Sequence, residues 1–454
     1  MKRTWLIVLL ALLLTLVLAG TAVAQPPYDL FINNVGMNSE HCYWKNDGSI
    51  YSTEPNQWNA WWNPSERTLT LQNAMINAPG MSGAGIYCPS GDLIISLKGS
   101  NTIAIPSALM CKGITVDYSG NDLTLCGGGS LDITVEENDD GIYVAGGSLT
   151  INDGVDVAIT AGGDGIKLDG AGSLDIDGAT LIIDADADGI YIANGRAQIN
   201  ATDLDITADA IGINVPSTST TITGGSLDIA AVKDGIKCKA TQSLLILDGC
   251  EIGSITSSEG CGIYGYDIEL DDVNAEEITS AQPDLDTAGI LGHSLTINTS
   301  VLEEVSGHYF GIYCAQGINI FQSTVDAIAS DEEIGCAIFS AYTALTDLLD
   351  HPGIALTNTL IDEGGDIVPV YEPLQEGATI DRASNTLTGT FGDASDVQLV
   401  GWTFSESNIA TGRYGNESWT IWGASPEVVL TAEPEADFSD RKSTRLNSSH
   451  VALS

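Results

Sequence analysis

One dipeptide governs how this chain can fold. Gly-Ile begins at Gly85, Gly113, Gly141, Gly165, Gly189, Gly212, Gly235, Gly262, Gly289 and Gly311, at intervals of 22 to 28 residues, and a degenerate copy stands at Ala337-Ile338. Self-similarity at a short fixed period is the signature of stacked repeats. Each unit carries three short runs in which apolar and polar residues alternate. One unit has Ile142/Val144, Leu149/Ile151 and Val155/Val157/Ile159; the next has Ile166/Leu168, Leu174/Ile176 and Leu181/Ile183. Alternation rich in β-branched residues means strands with one buried face. Gly, Asn, Asp and Ser punctuate the runs, as turns require. No helical stretch of a dozen residues interrupts the pattern, which excludes a βαβ sheet, and the Asn and helix signals of a leucine-rich repeat are missing. The expected fold is all-β: a right-handed, single-stranded parallel β-helix, three short strands per coil and about ten coils.

The flanks differ from the repeat. Lys2 and Arg3 precede an apolar run from Trp5 to Ala19, and Thr21-Ala22-Val23-Ala24 follows. Residues 1–24 read as a secretory signal peptide cut before Gln25, with a run too short for a comfortable membrane span. Thr21 stands where a lipidated Cys would be needed, so no lipid anchor is expected. Residues 25–82 lack the repeat, are rich in aromatics (Tyr43, Trp44, Trp58, Trp61, Trp62), and read as an N-terminal β cap over an otherwise open sheet edge. Cap packing and a sugar platform are both open to these rings. The helix proper spans 83–340. Residues 341–439 read as late coils, a β region and a linker, cut short. Residues 440–454, with DRKSTRLNSSH at Asp440–His450, resemble a translated sequencing adaptor.

Charge limits the partners. The full chain carries a net charge of −45. Without Lys2, Arg3, Asp440 and the three tail bases, 60 acids face 11 bases, a net −49. Such a chain repels nucleic acid and anionic membranes and attracts cations. A secreted setting is expected, with cell-surface attachment through a C-terminal region outside this sequence as a variant. The nine cysteines form no CxxC. Cys88, Cys238 and Cys314 stand where other repeats place Val, Leu or Ile and read as small core residues. Disulfides involving Cys42, Cys250 or Cys261 stay open. The sequence does not speak to oligomeric state.

Two rows of the repeat could carry chemistry. The residue before the repeat Gly is Asp140, Asp164, Asp188 and Asp234, broken by Ile211. Stacked carboxylates repel by roughly 1 kcal/mol per pair in water and roughly 3 at an effective dielectric of 20. Ca²⁺, which takes six to eight oxygens in irregular geometry, would relieve this; a solvated acidic turn row is the alternative. The second row follows the repeat Ile: Tyr87, Thr115, Tyr143, Lys167, Tyr191, Asn214, Lys237, Tyr264, Leu291, Tyr313. Aromatic faces stack on sugars and Lys pairs with carboxylates. Tyr143, Lys167, Tyr191, Lys237 and Tyr264 are therefore the candidate carbohydrate-binding residues, against ordinary exposed strand residues. Lys112, Lys233 and Lys239 lie near the same track.

Catalytic signals are weak. His293 and His308 follow Gly and read as turn residues. Only Arg196 among the arginines lies in the regular repeat. Asp139-Asp140 is a carboxylate pair of the type glycosidases use, but Asp-Gly recurs in most turns, which explains it without catalysis.

YDLFINN, WNPSERTLTLQNA, GIYCPSGDLIISLKGSNTI and the DDGIYV/GDGIKL/ADGIYI/KDGIKC series resemble the secreted bacterial carbohydrate-binding β-helix proteins typified by a polygalacturonate-binding, calcium-containing member, over about residues 28–340. The resemblance implies Ca²⁺ at Asp140, Asp164, Asp188 and Asp234, and binding rather than cleavage of an acidic plant polysaccharide such as polygalacturonate. The Gly-His-Gly and Arg-Ile-Lys patterns of polygalacturonases are not present. A structural surface protein or adhesin stalk, and a pectate lyase-like or polygalacturonase-like enzyme, are the competing expectations.

Overall fold

The computed structural model describes residues 28–330, apart from 78–82, 107–110 and isolated single positions, and beyond them short strands between 336 and 432. The expectations for residues 1–24, for most of 341–439 and for the tail lie outside the described residues. The chain is a β-solenoid of about ten turns with no helix among the described residues. Each turn supplies three strands, and equivalent strands stack in parallel. In the first column Ile142↔Ile166, Ile166↔Ile190 and Ile190↔Ile213 are register partners. In the second column Leu149↔Leu174 and Leu174↔Ala197 pair. In the third, Val157↔Leu181 and Leu181↔Leu204 do. Register is strict because a slip of one residue would move every apolar side chain outward.

The inward residues form one continuous core. Ile142, Val144, Leu149, Ile151, Ile166 and Leu168 are fully buried, as are Cys88, Cys238 and Cys314. The repeat Gly has a specific task. A Cβ on Gly141, Gly165, Gly189 or Gly212 would sit 2.3–2.4 Å from Cγ2 of Ile159, Ile183, Ile206 or Ile229, and 2.5–2.7 Å from the carbonyl oxygen of the next repeat Gly. The backbone there is squeezed between a third-column Ile and the neighbouring coil, and no side chain fits.

Residues 28–63 pair differently. Leu30–Ile32 and Val35–Met37 form an antiparallel hairpin whose turn, Asn33-Asn34, has positive φ at both residues (50° and 63°). Leu30–Ile32 also runs antiparallel along Ala84–Cys88, the outermost strand of the first column. Tyr43–Trp44, Ile50–Tyr51 and Ala60–Asn63 are antiparallel, and Thr68–Gln72 joins the second column in parallel beside Leu93–Lys98. Trp44 and Trp62 are buried, while Tyr43 stacks on Trp61.

Candidate functional site

The row that follows the repeat Ile is continuous. Tyr87, Thr115, Tyr143, Lys167, Tyr191, Asn214, Lys237, Tyr264, Leu291 and Tyr313 are successive register partners in the first column. Each follows an inward Ile, so the pleat turns it to the opposite face, where Thr115 and Leu291 are nonetheless buried at 8% exposure each. Tyr143 and Tyr264 are five strand spacings apart, roughly 24 Å. All five candidate binding residues lie on this one line and are half-buried.

The aspartates before the repeat Gly are not an exposed turn edge. Asp140, Asp164 and Asp234 are buried, at 4%, 8% and 6% exposure. One oxygen of each accepts the backbone N–H of the equivalent residue in the next coil. Asp164 N–H donates to Asp140 (3.2 Å), Asp188 N–H to Asp164 (3.0 Å), Ile211 N–H to Asp188 (3.0 Å) and Cys261 N–H to Asp234 (3.0 Å). A backbone donor suffices, which is why Ile211 is tolerated in the row. The other oxygen meets a side-chain donor: Lys112 at Asp140, Lys167 at Asp164 (2.7 Å), Asn214 at Asp188 (2.7 Å) and Lys237 at Asp234 (2.6 Å). Burial raises the pKa of Asp188 against the hydrogen bonds that favour its charge. Burial alone would lower Lys167, but the hydrogen bond to Asp164 and the charges of Asp164 and Asp140 outweigh it, and its pKa is raised.

This arrangement does not fit Ca²⁺. A calcium ion needs six to eight oxygens converging on one point. Here each carboxylate is satisfied by an N–H and an ammonium or amide, and no group of three or more His, Cys, Asp or Glu among the described residues is placed to hold a metal. The sequence carried a hint in the Lys three places after Asp164 and Asp234.

The lysines join the two rows. Lys112 Nζ lies 4.1 Å from the ring centre of Tyr143, Lys167 lies 5.5 Å from Tyr191, and Lys237 and Lys239 lie 5.5 and 4.6 Å from Tyr264. These are cation–π distances. Lys239 is exposed, and its pKa is raised by a hydrogen bond with Tyr264.

At one end of the row a pocket of about 730 Å³ opens, lined among others by Phe31, Tyr87, Lys112, Asp117, Tyr143, Lys167 and Asp169. Tyr87 donates its hydroxyl to Asp117 (2.7 Å) and Tyr143 to Asp169 (3.0 Å). Burial first, and then these carboxylates, push both phenols up to about 12. Asp117 and Asp169 were not among the sequence candidates; the available signal was their place two residues after Thr115 and Lys167. Phe31 reaches the pocket because its strand folds back over Ala84–Cys88, bringing the ring 5.9 Å from Tyr87. Tyr191, Lys237 and Tyr264 lie on the row outside the pocket.

The other candidates are engaged elsewhere. His293 stacks on Tyr266 at 4.3 Å, and His308 contacts Tyr309 and Ser330. Asp139 accepts the Cys111 N–H, and its partner Asp140 is held by Lys112. Among the described residues Cys42, Cys250 and Cys261 are not joined to one another in disulfides. No helix among the described residues is long and apolar enough to cross a membrane.

Solenoid and row together define a class: a stacked parallel β-sheet that presents aromatic rings and cations in one line on its surface. The family model of carbohydrate-binding domain-containing proteins matches residues 63–336, and the chain belongs to that family. Membership gives the chain a carbohydrate-binding role. No curated protein and no solved structure matches.

Proposed function

We propose that the chain is a non-catalytic, extracellular binder of an extended acidic polysaccharide of the pectate type, lying lengthwise along the Tyr/Lys row. One observation carries this: Lys112, Lys167, Lys237 and Lys239, four of only 16 basic residues in a chain of net charge −45, stand over tyrosine rings along a single line. An ammonium has three N–H donors. The aspartate beneath Lys112, Lys167 or Lys237 takes one and leaves others for a uronate carboxylate or hydroxyl. The tyrosine faces supply flat apolar contact for sugar rings. The aspartate row has no part for Ca²⁺ in this reading.

A second reading concerns ligand charge. Asp117 and Asp169 face the pocket at one end, where they would oppose a uronate and accept from hydroxyls, which favours an uncharged glycan there. Affinity electrophoresis in gels containing polygalacturonate or a neutral polysaccharide decides. Retardation by polygalacturonate, reduced in Lys239→Ala with Tyr264→Ala, is the expected result. Free migration of the unaltered chain in polygalacturonate defeats the acidic reading, and retardation only in the neutral gel favours the second.

A further inference from the structure

We infer that Asp140, Asp164 and Asp234 are positioning residues of the binding row, each aiming one lysine ammonium at a tyrosine ring. The inference rests on the Tyr/Lys row being the glycan-binding line. Three observations lead to it. First, the pairing repeats with the fold: Lys167 with Asp164, and Lys237 with Asp234, share the same three-residue offset and place Nζ at the same 5.5 Å from Tyr191 and Tyr264 in the following coil. Second, the aspartates are themselves fixed. Their other oxygen is tied to a backbone N–H of the next coil, so the carboxylate cannot swing with the lysine. Third, Lys112 occupies the place before Gly113 that later coils give to Asp, so a cation heads the ladder and pairs with Asp140 below it. The ladder thus supplies in protein cations what a row of bare carboxylates would have sought from a metal.

Asp188 provides an internal control. It makes the same backbone bond, to Ile211, but its second oxygen holds the Asn214 amide and no ammonium. A purely structural role would make Asp188→Asn equivalent to Asp164→Asn or Asp234→Asn. Asn retains the acceptor for the backbone N–H, so all three substitutions keep the ladder.

The experiment uses the full chain. Lysine reactivity toward an amine-acetylating reagent is mapped by mass spectrometry, and polygalacturonate affinity is measured by affinity electrophoresis with and without chelator. In Asp164→Asn with Asp234→Asn, Lys167 and Lys237 should become severalfold more reactive, and affinity should fall by about tenfold even though two negative charges are removed. Asp188→Asn should change neither. Affinity that rises or stays level in the double variant overturns the inference while leaving the binding reading intact, since a carboxylate that merely opposed a polyanion would give that result. Equal loss in Asp188→Asn also overturns it. Loss of wild-type binding in chelator overturns the metal-free assignment. An unaltered chain that binds no polygalacturonate overturns the acidic reading and the inference with it. Should the double variant fold poorly, Asp164→Asn alone must still raise the reactivity of Lys167 and weaken binding; unchanged reactivity and affinity there overturn the inference.

Discussion

Lys167 donates a 2.7 Å hydrogen bond to Asp164, a carboxylate that is 8% exposed and sits one place before a repeat glycine. Removing the lysine would strand a buried charge. Lys167→Met is expected to lower stability by about 1–3 kcal/mol, the cost of an unsatisfied buried acceptor. Adding Asp164→Asn should restore most of it. Denaturant midpoints of the two single variants and the double variant form the cycle. Additive losses would show that the pair is not coupled.

The same pair sets a pH dependence. The Lys167 pKa is raised in the folded chain above its ordinary 10.5. Its stabilising contribution is therefore complete below that value and fades as pH rises through the higher folded pKa. Melting temperatures of the unaltered chain and of Lys167→Met should converge above pH 10.5 as the ammonium discharges and leaves Asp164 unpaired. A gap that stays constant with alkalinity would contradict the shift.

The repeat glycine is a packing requirement. A Cβ on Gly189 would lie 2.4 Å from Ile206 Cγ2 and 2.6 Å from the Gly212 carbonyl oxygen. Gly189→Ala should cost about 1–3 kcal/mol or more through overpacking. Gly128→Ala, where nothing lies within 4 Å, should be close to neutral. Denaturation midpoints compare them; similar values for both would argue against the clash.

Thiol chemistry should follow burial. Desolvation pushes Cys250 up to about 11 and Cys261 up to about 12, while Cys42 and Cys126 are only partly buried. Alkylation of the native chain at mild pH is expected to label Cys42 and Cys126 first, and the buried thiols only on unfolding. A reducing agent should leave the melting temperature unchanged. A fall on reduction would reveal a disulfide.

Along the row, Tyr191→Ala and Tyr264→Ala should each weaken polygalacturonate retention by the equivalent of about 0.5–1.5 kcal/mol, as lost ring stacking implies. Affinity electrophoresis reads this directly. Retention unchanged in both would move the binding line elsewhere on the solenoid.

Much of this molecule is determined by the sequence alone, because its rules are local. A side-chain period of two, a turn residue at each break and a fixed repeat leave one solution, a stacked solenoid in which equivalent positions align. The membership of the Tyr/Lys row was legible for that reason, since alignment of coils follows from alignment of repeats. The partners of the aspartates were not legible. Asp140 takes its cation from Lys112 in the coil before it and its N–H from Asp164 in the coil after, and such contacts depend on how side chains lean across neighbouring strands. A row that reads as bare carboxylate is, once folded, a row of satisfied acceptors. The pocket likewise exists only in three dimensions. Asp117 and Asp169 are separated by two coils, and Phe31 arrives from a strand that folds back antiparallel on Ala84–Cys88, a pairing that no repeat in the sequence announces. Tertiary structure decided which charges are neutralised from within and which line the pocket, because that depends on distances between coils, and a linear pattern contains only the order of residues.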